Sequence, residues 1–68
     1  MIMGFEKRVY EVVETVAPNA MASFSYGTLF VTGVPREIAK IETALNEYTE
    51  CGVIVTPQGN NEYSFDFV

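Results

Sequence analysis

The sequence predicts an α+β domain in which two helices pack on one face of a four-stranded, mainly antiparallel sheet. Two stretches carry apolar residues at helical spacing, and four short stretches alternate apolar and polar residues. Their order is helix, two strands, helix, two strands, so a helical layer and a sheet can bury every apolar stripe between them. With 68 residues, the chain makes one domain over residues 1–68. A domain of this size buries only about 60% of the surface that its unfolded chain exposes, so it should gain stability from a partner.

The first helix is predicted from five apolar residues that recur at spacings of one, three or four: Phe5, Val9, Val12, Val13 and Val16. Pro18 ends it, since proline cannot donate the next hydrogen bond. The second helix begins at Pro35, which fits the first helical position, where a missing N–H group costs nothing. It ends near residue 50, and its apolar stripe is Ile38, Ile41, Leu45 and Tyr48.

The strands are predicted to form two hairpins. A two-residue turn at Tyr26-Gly27 pairs residues of the same character: Ser25 with Thr28, Phe24 with Leu29, and Ala22 with Val31. The second hairpin has its turn at residues 57–60, with a loop centred on Gly59. That loop places Val55 opposite Tyr63 and Val53 opposite Phe65.

The crossover from the second strand through the second helix to the third strand is right-handed, which is consistent with the fourth strand inserting between them. The predicted strand order is therefore 3-4-2-1. This arrangement resembles a circular permutation of the ferredoxin-like fold. The likeness concerns architecture and implies no function.

Charge and composition exclude several partners. Nine acidic residues against four basic ones give a net charge of −5, which repels the phosphate backbone that supplies most nucleic-acid affinity. The chain has no apolar run long enough to cross a bilayer, and residues 1–14 lack the continuous apolar segment of a secretory signal. We therefore expect a soluble, cytoplasmic protein with neither nucleic acid nor membrane as partner. The single cysteine, Cys51, excludes an internal disulfide, and we expect it to be a buried thiol.

The residue types also argue against catalysis. The chain has no histidine, which is the usual general base and the commonest transition-metal ligand, and Cys51 has no imidazole to activate it. Glu62 and Asp66 are four residues apart on a strand, about 13 Å, which is too far to share a proton or a metal ion. We predict no catalytic residues, no metal site and no cofactor, and a chain that is not an enzyme.

The stretch TGVPREIAKIE contains a candidate ligand-binding turn. A strand that leads to a helix N-terminus leaves free N–H groups and a positive dipole end that can hold an anion, and Arg36 could assist. This stretch resembles the Gly/Pro turn of amino-acid-binding ACT domains, with a match over about a third of the chain, although Arg36 replaces the second-turn glycine that such domains favour. The resemblance implies a site for a small anion or an amino acid at Thr32, Gly33 and Arg36. The simpler interpretation is a plain connection from strand to helix.

The sheet face away from the helices is the other candidate surface. Met21, Phe30 and Ile54 project from it among serine and threonine side chains, and large apolar groups in a polar rim are typical of a binding surface. A second copy packed there would supply the burial that one chain lacks. RNA-binding sheets pair such aromatic residues with basic ones, whereas the neighbours here are neutral or acidic.

We therefore predict a non-enzymatic module that forms a homo-oligomer, or binds another protein, through this sheet face or an edge strand. The alternative is a regulatory domain that binds a small ligand at the Gly33 to Arg36 turn.

Overall fold

The structure, a computed structural model, describes residues 2–49 and 52–68 and confirms the predicted fold class. Two helices cover one face of a four-stranded antiparallel sheet. The elements in chain order are α1 (Ile2–Val16), β1 (Met21–Ser25), β2 (Thr28–Thr32), α2 (Pro35–Thr49), β3 (Val53–Gly59) and β4 (Glu62–Phe67).

The strand order is β1-β2-β4-β3, with every neighbouring pair antiparallel. This is the predicted order, with β4 between β2 and β3. The architecture is the α+β, ferredoxin-like arrangement in the permuted order expected from the sequence. Neither described helix is long and apolar enough to cross a membrane.

The first hairpin has the predicted register, with Ser25 opposite Thr28 and Phe24 opposite Leu29. Its two turn residues both have positive φ angles, 52° at Tyr26 and 80° at Gly27. A two-residue turn with this backbone matches the twist of the strands, and the glycine adopts it without steric cost. Tyr26 accepts the left-handed conformation although tyrosine is not a usual residue there.

The predicted register of the second hairpin was wrong. Val55 lies opposite Phe65 rather than Tyr63, and Val53 lies opposite Phe67 rather than Phe65. The displacement is two residues. Because side chains alternate between faces with a period of two, both strands keep the core face that the sequence predicted.

The physical reason for this difference is a β-bulge. Pro57 pairs with Tyr63 and Gly59 pairs with Glu62, so β3 carries one extra residue between these pairs. Gly59 therefore belongs to the strand, and the turn is formed by residues 60 and 61. These are two asparagines with φ angles of 53° and 63°, a conformation that asparagine tolerates better than most residues.

The core lies between the sheet and the helices. α1 contributes Val9 and Val13, and α2 contributes its buried stripe, Ile38, Ile41 and Leu45. The sheet meets them with Leu29, Val31, Val53 and Phe65. α1 begins at Ile2, before the predicted apolar stripe, and Ala17, just beyond its end, is also buried.

Aromatic rings form a row along one side of the core. Phe5 of α1 stacks on Tyr48 of α2 and packs edge-on against Phe67, which in turn stacks on Phe24. Tyr10 packs edge-on against Phe24 at the far end. Because the start of α1 meets the end of α2, the two helices are antiparallel. The predicted burial of Cys51 lies outside the described residues.

Candidate functional site

The face of the sheet away from the helices, called the open face below, is uncovered in the single chain. It is mostly polar and carries two carboxylates, Glu62 and Asp66, both on β4. Its members by strand are Met21, Ser23 and Ser25; Thr28, Phe30 and Thr32; Glu62, Ser64 and Asp66; and Ile54, Thr56 and Gln58.

The structure places the three predicted anchors on the open face but does not bring them together. Met21 is 75% exposed and Ile54 is 54% exposed, whereas Phe30 is half-buried. Met21 and Ile54 lie on the two opposite edge strands, about 14 Å apart across the sheet and about 13 Å apart along it. Phe30 occupies the centre, with Ser23 on one side and Ser64 on the other.

Hydrogen bonds between side chains tie the open face together. The Thr28 hydroxyl donates to Asp66 Oδ1 at 2.9 Å, across β2 and β4. The Gln58 Nε2 atom donates to the Ser64 hydroxyl at 3.0 Å, and Ser64 is only 5% exposed. The apolar and polar pattern of the sequence does not indicate this polar pair, because the pair depends on the β-bulge that brings Gln58 over Ser64.

The edge strand β1 is partly closed by α1. The Phe24 N–H group donates to the Tyr10 hydroxyl at 2.8 Å, so this donor is not available to an added strand. Native sheets commonly protect their edges in such ways against unwanted pairing.

The opposite edge strand, β3, is protected by two different features. The Val53 N–H group donates to Asn46 Oδ1 on α2 at 3.1 Å. Pro57 has no N–H group at all, and proline within sheets is largely confined to edge strands or bulges for that reason. Both edge strands thus have fewer free backbone N–H groups for an added strand than the alternation of residues alone implies.

The predicted ligand turn is held by groups of the chain itself. The Gly33 N–H group donates to the Asn61 carbonyl oxygen at 2.9 Å, which ties the start of α2 to the second hairpin. A Cβ atom placed on Gly33 would lie 3.1 Å from Glu37 Oε1, so this carboxylate is folded back beside the turn. A carboxylate there suits the positive end of the helix dipole.

Arg36 does not join Thr32 and Gly33 around one cavity. It lines a groove between α1 and α2, together with Lys40 and Val16. Thr32 ends β2 and is exposed. A ligand site at this turn stays a prediction, and it must compete with Glu37 for the helix N-terminus.

The helix groove has a volume of about 570 Å³ in its first part, with an adjoining part of about 520 Å³. Val12 and Ala44 line its middle, and Val16 lines both parts. Its charged lining consists of Arg8, Arg36 and Lys40 against Glu11 and Glu47.

The basic residues are segregated from the sheet. The chain contains four, all exposed and all on the helices: Lys7, Arg8, Arg36 and Lys40. None of them forms an ion pair within the part of the chain that the structure describes. The two helices carry these four cations together with six glutamates, a net charge of −2, whereas the open face carries two carboxylates and no cation.

Residues 2–49 and 52–68 contain no group of three or more cysteine, aspartate or glutamate side chains that could hold a metal ion. They also contain no buried side-chain nitrogen or oxygen atom without a hydrogen-bond partner. Comparison of the chain with models of protein families, with curated proteins and with solved structures found no match. The function must therefore be argued from the chain's own surfaces.

Proposed function

We propose that the chain is a non-enzymatic protein-interaction module that self-associates, or binds another protein, through the open face of its sheet. The observation that carries the proposal is that the helices cover one face of the sheet while the other face exposes Met21 and Ile54 around Phe30. Apolar groups within a polar rim are typical of a surface that a partner covers.

The edges of the sheet are less suited to this role. Strand addition uses free backbone N–H groups, but Phe24 and Val53 already donate theirs to Tyr10 and Asn46. Pro57 has no N–H group, so β3 lacks a second donor in addition to that of Val53. We therefore assign the contact to the face of the sheet rather than to either edge strand.

A small-ligand regulatory domain is supported less well. The N–H group of Gly33 is engaged with Asn61, and the Glu37 carboxylate lies beside the turn where an anionic ligand would bind. The absence of histidine from the sequence supports a non-enzymatic role. The cytoplasmic location expected from the sequence stays a prediction.

The test is sedimentation equilibrium of the wild-type chain and of Phe30→Asp over a wide concentration range. We expect the average mass of the wild type to rise with concentration and that of the variant to stay at the monomer value. A carboxylate at the centre of the open face must lose its water when a partner covers it, and this cost opposes association.

Asn19→Asp is the matched control, because it adds the same charge at an exposed position outside the sheet. We expect it to associate like the wild type. Circular dichroism melts must show that both variants remain folded. If folded Phe30→Asp associates like the wild type, the open face is not the contact surface.

A further inference from the structure

We infer that the open face is covered by the helical layer of a second copy of the same chain, in a head-to-tail arrangement. This inference rests on the proposed function and specifies the partner. It follows from the charges of the two surfaces, their spacing and the position of Phe30 between the charges.

A contact between two open faces is electrostatically unfavourable. The open face carries Glu62 and Asp66, and all four basic residues of the chain lie on the helices. Two copies packed sheet to sheet would bring four carboxylates into one desolvated interface without a cation, and like charges in such a position oppose association. The open face therefore requires a partner surface that contains cations.

The helix groove of a second copy supplies such a surface. Arg8 lies at one end of the groove, and Arg36 and Lys40 line the other end beside Val16. The groove also contains Glu11 and Glu47, so cations exceed carboxylates by one within a chain whose net charge is −5. Because these cations form no ion pair within the described part of the chain, they are available to carboxylates of a neighbour.

The charges have matching spacing. Arg8 and Val16 are eight residues apart on α1, and Lys40 lines the groove together with Val16, so Arg8 and Lys40 are about 12 Å apart along the helix axis. Glu62 and Asp66 are four residues apart on β4, which separates the carboxylates by about 13 Å.

The apolar groups between the charges also match. Phe30 pairs with Ser64, midway between the two carboxylates. In the groove, Val12 and Ala44 lie between the cationic ends. When the carboxylates meet the cations, Phe30 is placed over this apolar floor. One acid of the open face then meets Arg8, which shares its part of the groove with Glu11 and Glu47, and Phe30 meets the apolar floor. The other acid meets Arg36 and Lys40, where the excess of cations lies.

The contact is expected to be weak. Four strands at about 4.8 Å and five residues at about 3.3 Å give the open face an area of about 300 Å² in plan. Even twice this area is less than the roughly 800 Å² of surface that each partner buries in a standard protein–protein interface. Association should therefore appear only at high micromolar to millimolar concentrations, and a head-to-tail contact can extend beyond a dimer.

The decisive experiment mixes two variants, each with one blocked surface. Phe30→Asp blocks the open face and leaves the groove intact. The double variant Arg36→Glu/Lys40→Glu blocks the groove and leaves the open face intact, and both positions are exposed. We expect each variant alone to be monomeric and their equimolar mixture to form a dimer that grows no further, because only one pair of intact surfaces remains.

The outcomes separate this inference from the proposed function. If the groove variant alone associates like the wild type, the groove is not the partner surface and the inference fails while the proposed function stands. If both variants are monomeric and the mixture is also monomeric, the inference fails. If the wild type is monomeric even at millimolar concentration, a second copy is not the partner. If Phe30→Asp associates like the wild type, both fail.

A substitute variant and a salt titration complete the experiment. Ile54→Asp, at an exposed position of the same face, replaces Phe30→Asp if the latter does not fold. Raising the salt concentration should weaken the wild-type association several-fold, because opposite charges meet across the contact. Association that strengthens with salt would indicate two acidic faces in contact and would overturn the inference.

Discussion

On the covered face of the sheet, Leu29, Val31 and Phe65 are completely buried, whereas on the open face Met21 and Ile54 remain more than half exposed. The two faces belong to the same four strands, and successive residues of each strand point to opposite faces. Apolar packing fills the covered face, and hydroxyl, amide and carboxylate groups linked by hydrogen bonds fill the open face. The covered face therefore carries the stability of the fold, and the open face is available for recognition.

The largest expected effect tests this division directly, with one phenylalanine on each face. Phe65→Ala should lower the free energy of unfolding by about 3–5 kcal/mol, because it removes a buried ring and leaves a cavity. Phe30→Ala, on the neighbouring strand, should lower it by only about 1 kcal/mol, because the ring is half-buried and water can reach the site. Urea unfolding followed by circular dichroism measures both.

A domain of 68 residues is expected to have about 3–10 kcal/mol of stability in total, so Phe65→Ala should remove roughly a third of it or more. If Phe30→Ala lowers the free energy of unfolding as much as Phe65→Ala does, the two faces do not differ in their contribution to stability. In that case the open face would be part of a core, and Phe30→Asp could not serve as a test of binding.

An intermediate effect is expected at the boundary between the faces, where Tyr10 of α1 reaches the edge of β1. Tyr10→Phe removes the hydroxyl that accepts the Phe24 N–H group and should lower the free energy of unfolding by about 1 kcal/mol. The Phe24 amide should exchange its hydrogen faster, which NMR detects at that residue. Tyr48→Phe, in the same aromatic row, is the control and should leave Phe24 exchange unchanged. Equal exchange in both variants would show that the Tyr10 hydroxyl does not protect this edge.

Most of the fold was predictable from the sequence because it depends on local patterns. The two helical stripes, the strand alternation and the turn at Tyr26-Gly27 each have a signature within a few residues, and the predicted strand order is consistent with a right-handed crossover. The second register was not predictable in the same way. Gly59 and Pro57 are residues typical of turns, and only the pairing of the whole hairpin assigns them to a bulged strand.

The candidate site was predictable only as a list of residues on one face. That Met21, Phe30 and Ile54 project away from the helices follows from side-chain alternation. Their separation into opposite edges and a centre required the strand pairing to be combined with the strand order. Hydrogen bonds from a strand backbone to a side chain of the preceding helix, such as Phe24 with Tyr10 and Val53 with Asn46, leave no signature in the apolar pattern.

The smallest expected effect concerns Ser64, the one open-face residue that is as buried as the core. Its burial comes from its neighbours on the open face, Phe30 and Thr56 on the adjoining strands and the Gln58 side chain. Ser64→Ala should change the free energy of unfolding by about 0.5 kcal/mol or less, because the exposed Gln58 amide can bond water instead. A double-mutant cycle with Gln58→Ala, measured by urea unfolding, isolates the energy of this hydrogen bond. A coupling energy above about 2 kcal/mol would mean that the bond is protected from water and contributes to stability as core packing does. A small coupling energy would mean that burial on the open face does little to hold the fold together, as expected of a surface that is complete only when a partner covers it.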